Sequence, residues 1–433
     1  MKKAILMSVL AATISVAQAQ TFDFDFTGKA KKSGNTVTVT PKNVYNDAAG
    51  YGYDIIPAWD GRSAKPFYFS VKVPDGNYKV TVTLGTNKKN GMTVVRAESR
   101  RLFLEETATR RGELKEFTFI INKRSPEYTY TDRNGKKQAG RVRLKPREHG
   151  YLDWDDRLTL EFNGAAPAVS SIHIEPDTTA TTVFLCGNST VVDQNNEPYA
   201  SWGQMVTRWF DTKVAISNHA ESGLTARTFL AGNRLEKILS MMRRGDYVIC
   251  EFGHNDEKEK QPGDGAWYHY VYNLKIFVDK VRQKGGHIIF CTPTQRRFFD
   301  EAKLRIRPTH GEFPAAMLSV AGREKVPVID LNGMTTTFFE TLGYDNSVKA
   351  LVHYPAGTYP GQTKALADNT HFNPYGAYEV SKMVVMGMKK LGLPLVGALQ
   401  NDWRDFSPNR PDDPKTFRWY NAAVTDTAKP DGN

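Results

Sequence analysis

The sequence predicts an all-β sandwich followed by a three-layer α/β/α domain, and three observations carry that prediction. Short alternating or β-branched runs separated by turn-formers fill residues 21 to about 176. From Thr181 onward, short apolar strands alternate with helical patterns, as a parallel sheet covered by helices on both faces requires. The 433 residues, 40% hydrophobic and 24% charged, have the balance of a globular chain and suffice for two or three domains.

In chain order, the first residues read as a secretory signal. Lys2 and Lys3 make a basic start, Ala4 to Val16 an apolar stretch, and Ala17-Gln18-Ala19 a small-x-small cleavage site. That stretch is too short to span a bilayer, and no later segment is long and apolar enough to do so. The expected organisation is a signal peptide at 1–19, the sandwich at 20–176, the α/β domain at 177–400 and a polar, Pro-containing tail at 401–433. In the tail, Trp403, Trp419 and Tyr420 are possible anchors. The chain is expected to be exported, to a bacterial periplasm or beyond. Cys186, Cys250 and Cys291 each sit in an apolar run, the pattern of buried free thiols rather than of a disulfide framework or a zinc site. No metal or other cofactor is expected.

The formal charge is +11, or +9 without Lys2 and Lys3. Such a balance favours polyanions. Export and the lack of a nucleic-acid motif argue against nucleic acid, whereas an acidic polysaccharide fits both facts. A basic surface that only aids solubility is the alternative.

In the β-rich part, strands are predicted at Thr36 to Thr40, Phe67 to Val73, Tyr78 to Leu84, Lys115 to Ile121, Arg157 to Phe162 and Ser170 to Ile174. Pro74-Asp75-Gly76-Asn77 is expected to join two of them as a hairpin loop. The pattern, with Tyr51-Gly52-Tyr53-Asp54 and Pro74 to Tyr78, resembles the galactose-binding-like jelly rolls attached to many carbohydrate enzymes. In the second part, strands are expected at 181–187, 214–219, 247–252, 287–292 and 326–331. Leu274, Phe277, Val278 and Val281 recur at helical spacing, and Gly376 to Leu391 reads as the last helix.

Functional groups in open α/β sheets collect at the carboxyl ends of the strands. The first strand ends in Gly187-Asn188-Ser189-Thr190, which places Ser189 on a tight turn before an expected helix; plain turn chemistry is the competing reading. The second leads into Ser217-Asn218-His219-Ala220-Glu221-Ser222-Gly223, where Gly223 lets backbone approach a reacting group. The third ends in Gly253-His254-Asn255-Asp256, where Asn255 is either an oxyanion donor or a helix cap. Far downstream, Asp368-Asn369-Thr370-His371 precedes the last helix. An Asp three residues before a His can orient its imidazole, or can simply cap that helix.

The order Gly187-x-Ser189, Gly223, Gly253-x-Asn255, Asp368-x-x-His371 resembles the four blocks of the SGNH (GDSL-like) hydrolase superfamily, over roughly residues 180 to 392. The resemblance implies a flavodoxin-like three-layer fold and a Ser-His-Asp esterase. Ser189 would be its nucleophile, His371 its base and Asp368 the orienter. Ser189 N–H, Gly223 N–H and the Asn255 side chain would form the oxyanion hole. The family usually has Asp before the Ser; Asn188 keeps an acceptor for bracing the turn but drops a charge. Gly187 to Val191, Ser201-Trp202-Gly203, Ala220 to Phe229 and Asp368 to Asn373 are similar to the rhamnogalacturonan acetylesterase branch, which removes acetyl groups from a galacturonate-containing pectin backbone. An acetylated acidic polysaccharide is the partner this implies. Arg227 is then a candidate for gripping a substrate carboxylate, or else a salt bridge that steadies the Gly223 loop. His254 and His219 are candidates at the edge of the site. The alternatives are an esterase of another acetylated glycan such as xylan, and a carbohydrate-binding protein whose hydrolase domain is silent, which Asn188 alone would favour.

Overall fold

The computed structural model describes residues 20–28, 36–61, 63–424 and 429–431; the expected signal peptide lies outside them. Two five-stranded sheets build the β-rich region. One runs Thr36–Thr38, Phe22–Asp25, Val169–Asp177, Gly76–Leu84, Lys115–Lys123 in spatial order. The other runs Tyr51–Asp54, Phe67–Lys72, Arg157–Ala166, Gly91–Ala97, Arg101–Thr109. Alternation along the strands explains the packing: Tyr78, Val80, Val82 and Leu84 point one way and meet Phe67, Phe69, Val71, Leu160 and Phe162 in one core.

One expectation fails here. Pro74 to Asn77 is not a hairpin loop, because Phe67–Lys72 pairs with Arg157–Ala166 in one sheet and Gly76–Leu84 with Lys115–Lys123 in the other. The loop is an arch between sheets, so both flanking strands present apolar faces to the same core. Asp75 pins the arch through ion pairs to Lys123 at 3.0 Å and Lys237 at 2.6 Å.

The second region holds a parallel sheet of Val214–Asn218, Thr181–Gly187, Tyr247–Glu251, His287–Cys291 and Val328–Ile329, in that spatial order. Its strands alternate between two apolar layers. Phe184, Cys186, Val248 and Phe290 face the helix Val271–Gln283 through Leu274, Phe277, Val278 and Val281. Val183, Leu185, Ile249 and Cys291 face the helix Pro374–Lys390 through Val380, Met383 and Val384. The last strand is shorter than expected because Asp330 leaves it to cap the helix Leu331–Ser347, accepting from Gly333 N at 3.0 Å. The three cysteines are free and buried. No helix among the described residues is long and apolar enough to cross a membrane.

The strand order puts the Ser189 strand between the strands leading to Gly223 and Asn255. Gly187 lies in register with Glu251, and Leu185 with Asn218. This is where the strand order reverses, and a crevice opens at the carboxyl ends of such strands.

Candidate active site

Ser189 follows the strand Thr181–Gly187 on a turn closed by the N–H groups of Val191 and Val192, both donating to Asn188 O at 3.0 Å. No helix starts directly at Ser189, contrary to expectation; the next is the short Trp202–Met205, and Ser189 is only 6% exposed. The β-rich region draws the segment away instead. Arg101 Nε donates to Asp193 Oδ2 at 2.6 Å, and Arg100 Nε to Gln194 O at 3.0 Å. Ser201 Oγ and Gln194 Nε2 both donate to Ser189 O, at 2.6 and 2.9 Å, which fixes the peptide that carries the hydroxyl. Asn188 Oδ1 accepts from Thr190 N at 3.1 Å, the bracing role expected of it. Its Nδ2 is buried with no hydrogen-bond partner among the described residues.

His371 and Asp368 arrive on an antiparallel strand pair, Leu351–Tyr354 with Leu366–Phe372, rather than on a loop. Asn373 caps the next helix through Gly376 N at 3.0 Å, so Asp368 is free of the capping role. His371 Nε2 lies 2.9 Å from Ser189 Oγ, and its Nδ1 lies 2.8 Å from Asp368 Oδ2. Asp368 Oδ1 accepts from Thr370 N and His371 N, at 2.8 and 3.0 Å. Burial alone would raise this carboxyl's pKa. The His371 side chain and these backbone donors outweigh burial and hold it well below the usual range. The Tyr199 ring packs edge-on against the imidazole, with centroids 5.7 Å apart.

Gly223 is brought to the same end of the sheet because His219 N and Glu221 N donate to Leu185 O and Gly187 O, at 2.9 and 3.3 Å. Its φ of +77° suits glycine. Asn255 Nδ2 donates to Leu224 O at 3.1 Å, which ties it to the Gly223 loop and leaves its second amide hydrogen for another acceptor. Asp256 joins the same two loops by accepting from Ala226 N and Gly253 N, at 2.8 and 3.0 Å; burial pushes its carboxyl up to about 7.

Arg227 is already committed. Its guanidinium pairs with Glu259 at 2.8 Å and Asp264 at 2.9 Å, the salt-bridge alternative rather than an open carboxylate grip. His254 is 3% exposed, packs against His310 with centroids 4.5 Å apart, and has no partner for either ring nitrogen among the described residues. Burial and neighbouring positive groups keep it neutral. His219 is a buried packing residue, with Nε2 2.9 Å from Ser217 Oγ and its ring against Trp154. Asp256, Glu259 and His269 offer ligand atoms within 4.8 Å of one another. Both Asp256 oxygens already accept backbone N–H groups, from Ala226 and Gly253, and Glu259 Oε1 pairs with Arg227.

Sequence reasoning missed Arg100 and Arg101, and Lys145 and Arg147, all supplied by the β-rich region. The only local signal for the first pair is two adjacent cations between apolar runs, a poor fit to a plain solvated strand.

The fold thus sets a hydrogen-bonded line of Ser189, His371 and Asp368 at the switch point of a parallel sheet. Residues 185–377 match the model of the GDSL-like Lipase/Acylhydrolase family. The rhamnogalacturonan acetylesterase RhgT of Bacillus subtilis (strain 168) is 40% identical over 215 residues, 49% of this chain and 91% of that protein. An uncharacterized esterase of the same organism, YxiM, is 25% identical over 403 residues, 88% of this chain and 94% of that protein. A crystal structure of the Bacillus subtilis YxiM protein superposes with a TM-score of 0.46 at 23% identity, covering 87% of this chain and 99% of that one. The chain belongs to the GDSL-like lipase/acylhydrolase family and is an ester hydrolase.

Proposed function

We propose that this esterase removes acetyl groups from rhamnogalacturonan, an acidic pectic polysaccharide, through an acetyl-enzyme on Ser189. The observation that carries the reading is the unbroken hydrogen-bonded line Ser189 Oγ, His371, Asp368, with links of 2.9 and 2.8 Å. Relatives named rhamnogalacturonan acetylesterase in two organisms support the substrate class. Ser189 Oγ attacks the acetyl carbonyl carbon as His371 Nε2 takes its proton. The tetrahedral oxyanion is held by Ser189 N–H, Gly223 N–H and Asn255 Nδ2. The C–O bond to the sugar breaks, and the sugar oxygen leaves with the proton from His371. Water then gives a proton to the same imidazole and attacks the acetyl-serine, releasing acetate and restoring the hydroxyl. Asp368, held ionised, keeps Nδ1 protonated and stabilises the imidazolium.

The same reading makes residues 1–19 an export signal and the protein periplasmic or secreted. It makes 20–176 a jelly-roll domain of the galactose-binding type, 177–400 the catalytic domain and 401–433 a tail. Acetate release from acetylated rhamnogalacturonan and acetylated xylan, side by side, tests the substrate. Equal or faster release from xylan overturns the pectic assignment. Ser189→Ala and His371→Ala should each lower release by roughly 10⁵-fold or more. Near-parental rates in either purified variant would remove the mechanism.

A further inference from the structure

Two cations of the β-rich region converge on the rim of the site. Lys145 Nζ donates to Ser222 O at 2.6 Å. It stands so close to Gly223 that a Cβ on that glycine would lie 2.9 Å from the ammonium. Arg147 Nε lies 3.2 Å from Glu221 Oε1, of a carboxyl buried in the same loop. Each cation is thus oriented by a loop group next to Gly223, and each keeps about a quarter of its side chain exposed, 27% in both cases. The two meet on one carboxylate, that of Asp431. Its Oδ2 lies 3.1 Å from Lys145 Nζ and its Oδ1 3.3 Å from Arg147 Nη1. Asp431 Cβ comes within 3.0 Å of the Cβ position of Gly223. Two residues earlier, Lys429 Nζ lies 3.7 Å from Asp368 Oδ2. Lys429, two residues from Asp431, thus brings the same segment to the His371–Asp368 pair.

From this geometry we infer that Lys145 and Arg147 form a subsite for the carboxylate of a uronate residue at or beside the acetylated sugar, and that Asp431 occupies it in the substrate's place. The inference rests on the esterase reading above and adds to it the residues that select an acidic polymer. Both cations lie outside the 185–377 family match, so the β-rich region contributes specificity to a reaction whose chemistry lies in the other region. One carboxylate oxygen per cation suits a uronate, and charge-assisted hydrogen bonds are the strong ones. A neutral xylan unit offers nothing for them to hold. The self-held carboxylate competes with the substrate, so the tail lowers apparent affinity for acidic ligands.

The test compares kcat/KM on acetylated oligogalacturonate with kcat/KM on acetylated xylo-oligosaccharide, within each variant, so that folding losses cancel in the ratio. Arg147→Met and Lys145→Met should each lower the acidic-to-neutral ratio by about 10- to 100-fold, with Arg147→Lys recovering part of it. Asp431→Ala should lower KM for the acidic substrate more than for the neutral one. Added salt should erode the parent's preference. A ratio unchanged in both methionine variants overturns the subsite; a ratio unchanged in Asp431→Ala overturns the competition. A second arm needs no turnover: titration calorimetry of unesterified trigalacturonate against Ser189→Ala, with and without Arg147→Met. Binding that weakens on loss of Arg147 supports the subsite, and equal or absent binding in both sinks it. A parent inactive on every ester refutes the catalytic reading instead, and the calorimetry still decides the subsite.

Discussion

The two regions bury polar groups in opposite ways. Between the sheets of the β-rich region the core is aromatic and aliphatic, with Phe24, Phe67, Phe69, Phe162, Val80 and Ile172 at its centre. Its buried charges lie outside that core, several of them against the rest of the chain. Arg101 pairs with Asp153 and with Asp193, which follows Ser189; Arg96 pairs with Glu161 under the Trp419 ring; Glu148 pairs with Arg234. The α/β region instead concentrates buried polar side chains at its strand ends, among them Asn188, Thr190, Asn218, Glu251, Asn255 and Asp256. One region therefore keeps its buried charges apart from its apolar core. The other holds a polar cluster whose bracing is partly supplied from outside, by arginines that approach the Ser189 turn from behind. A buried charge is tolerated when it is paired, and losing one partner costs more than the pair contributes.

That contrast can be broken most severely at Arg101. Arg101→Met leaves Asp153 and Asp193 buried and facing each other. Urea unfolding should show a loss of about 3–5 kcal/mol, with reduced turnover even on a small ester. A loss below ~1 kcal/mol would mean that the β-rich region does not brace the site. A smaller effect is expected inside the α/β region itself. Asn255→Ala should lower kcat by about 10²–10³ while KM moves little, because an oxyanion donor acts in the transition state. A change confined to KM would assign Asn255 to ground-state binding.

A pH dependence sharpens the boundary between the regions. Burial and the nearby Glu148 push the Glu221 carboxyl up to about 8, against an ordinary value of 4.5. The folded state then holds this proton more tightly than the unfolded chain does. Its contribution is full below pH 4.5 and is lost as pH rises toward about 8. Melting temperature should therefore decline over that window, and Glu221→Gln should flatten the decline. A parent and variant that melt in parallel from pH 5 to 9 would contradict the raised carboxyl.

Much of the fold was legible locally. The apolar runs of the parallel sheet and the stripe of Leu274, Phe277, Val278 and Val281 are local consequences of burial on two faces or one. The hairpin expected at Pro74 to Asn77 failed because turn residues specify a reversal but not which sheet receives the next strand. The helix expected directly after Ser189 is replaced by turns and loop, and Arg100 and Arg101, nearly ninety positions upstream, hold that segment against the β-rich region.

What the sequence determined by itself is the set of candidate reacting groups and their order, because strand ends, turn glycines and the Asp368–His371 spacing are short-range features. Tertiary structure decided the rest: that His371 reaches a hydroxyl 182 positions away, that Arg227 is already paired, and that Lys145 and Arg147 face Gly223. Ion pairs and close approaches depend on distances in space, and those exist only once both regions have packed together.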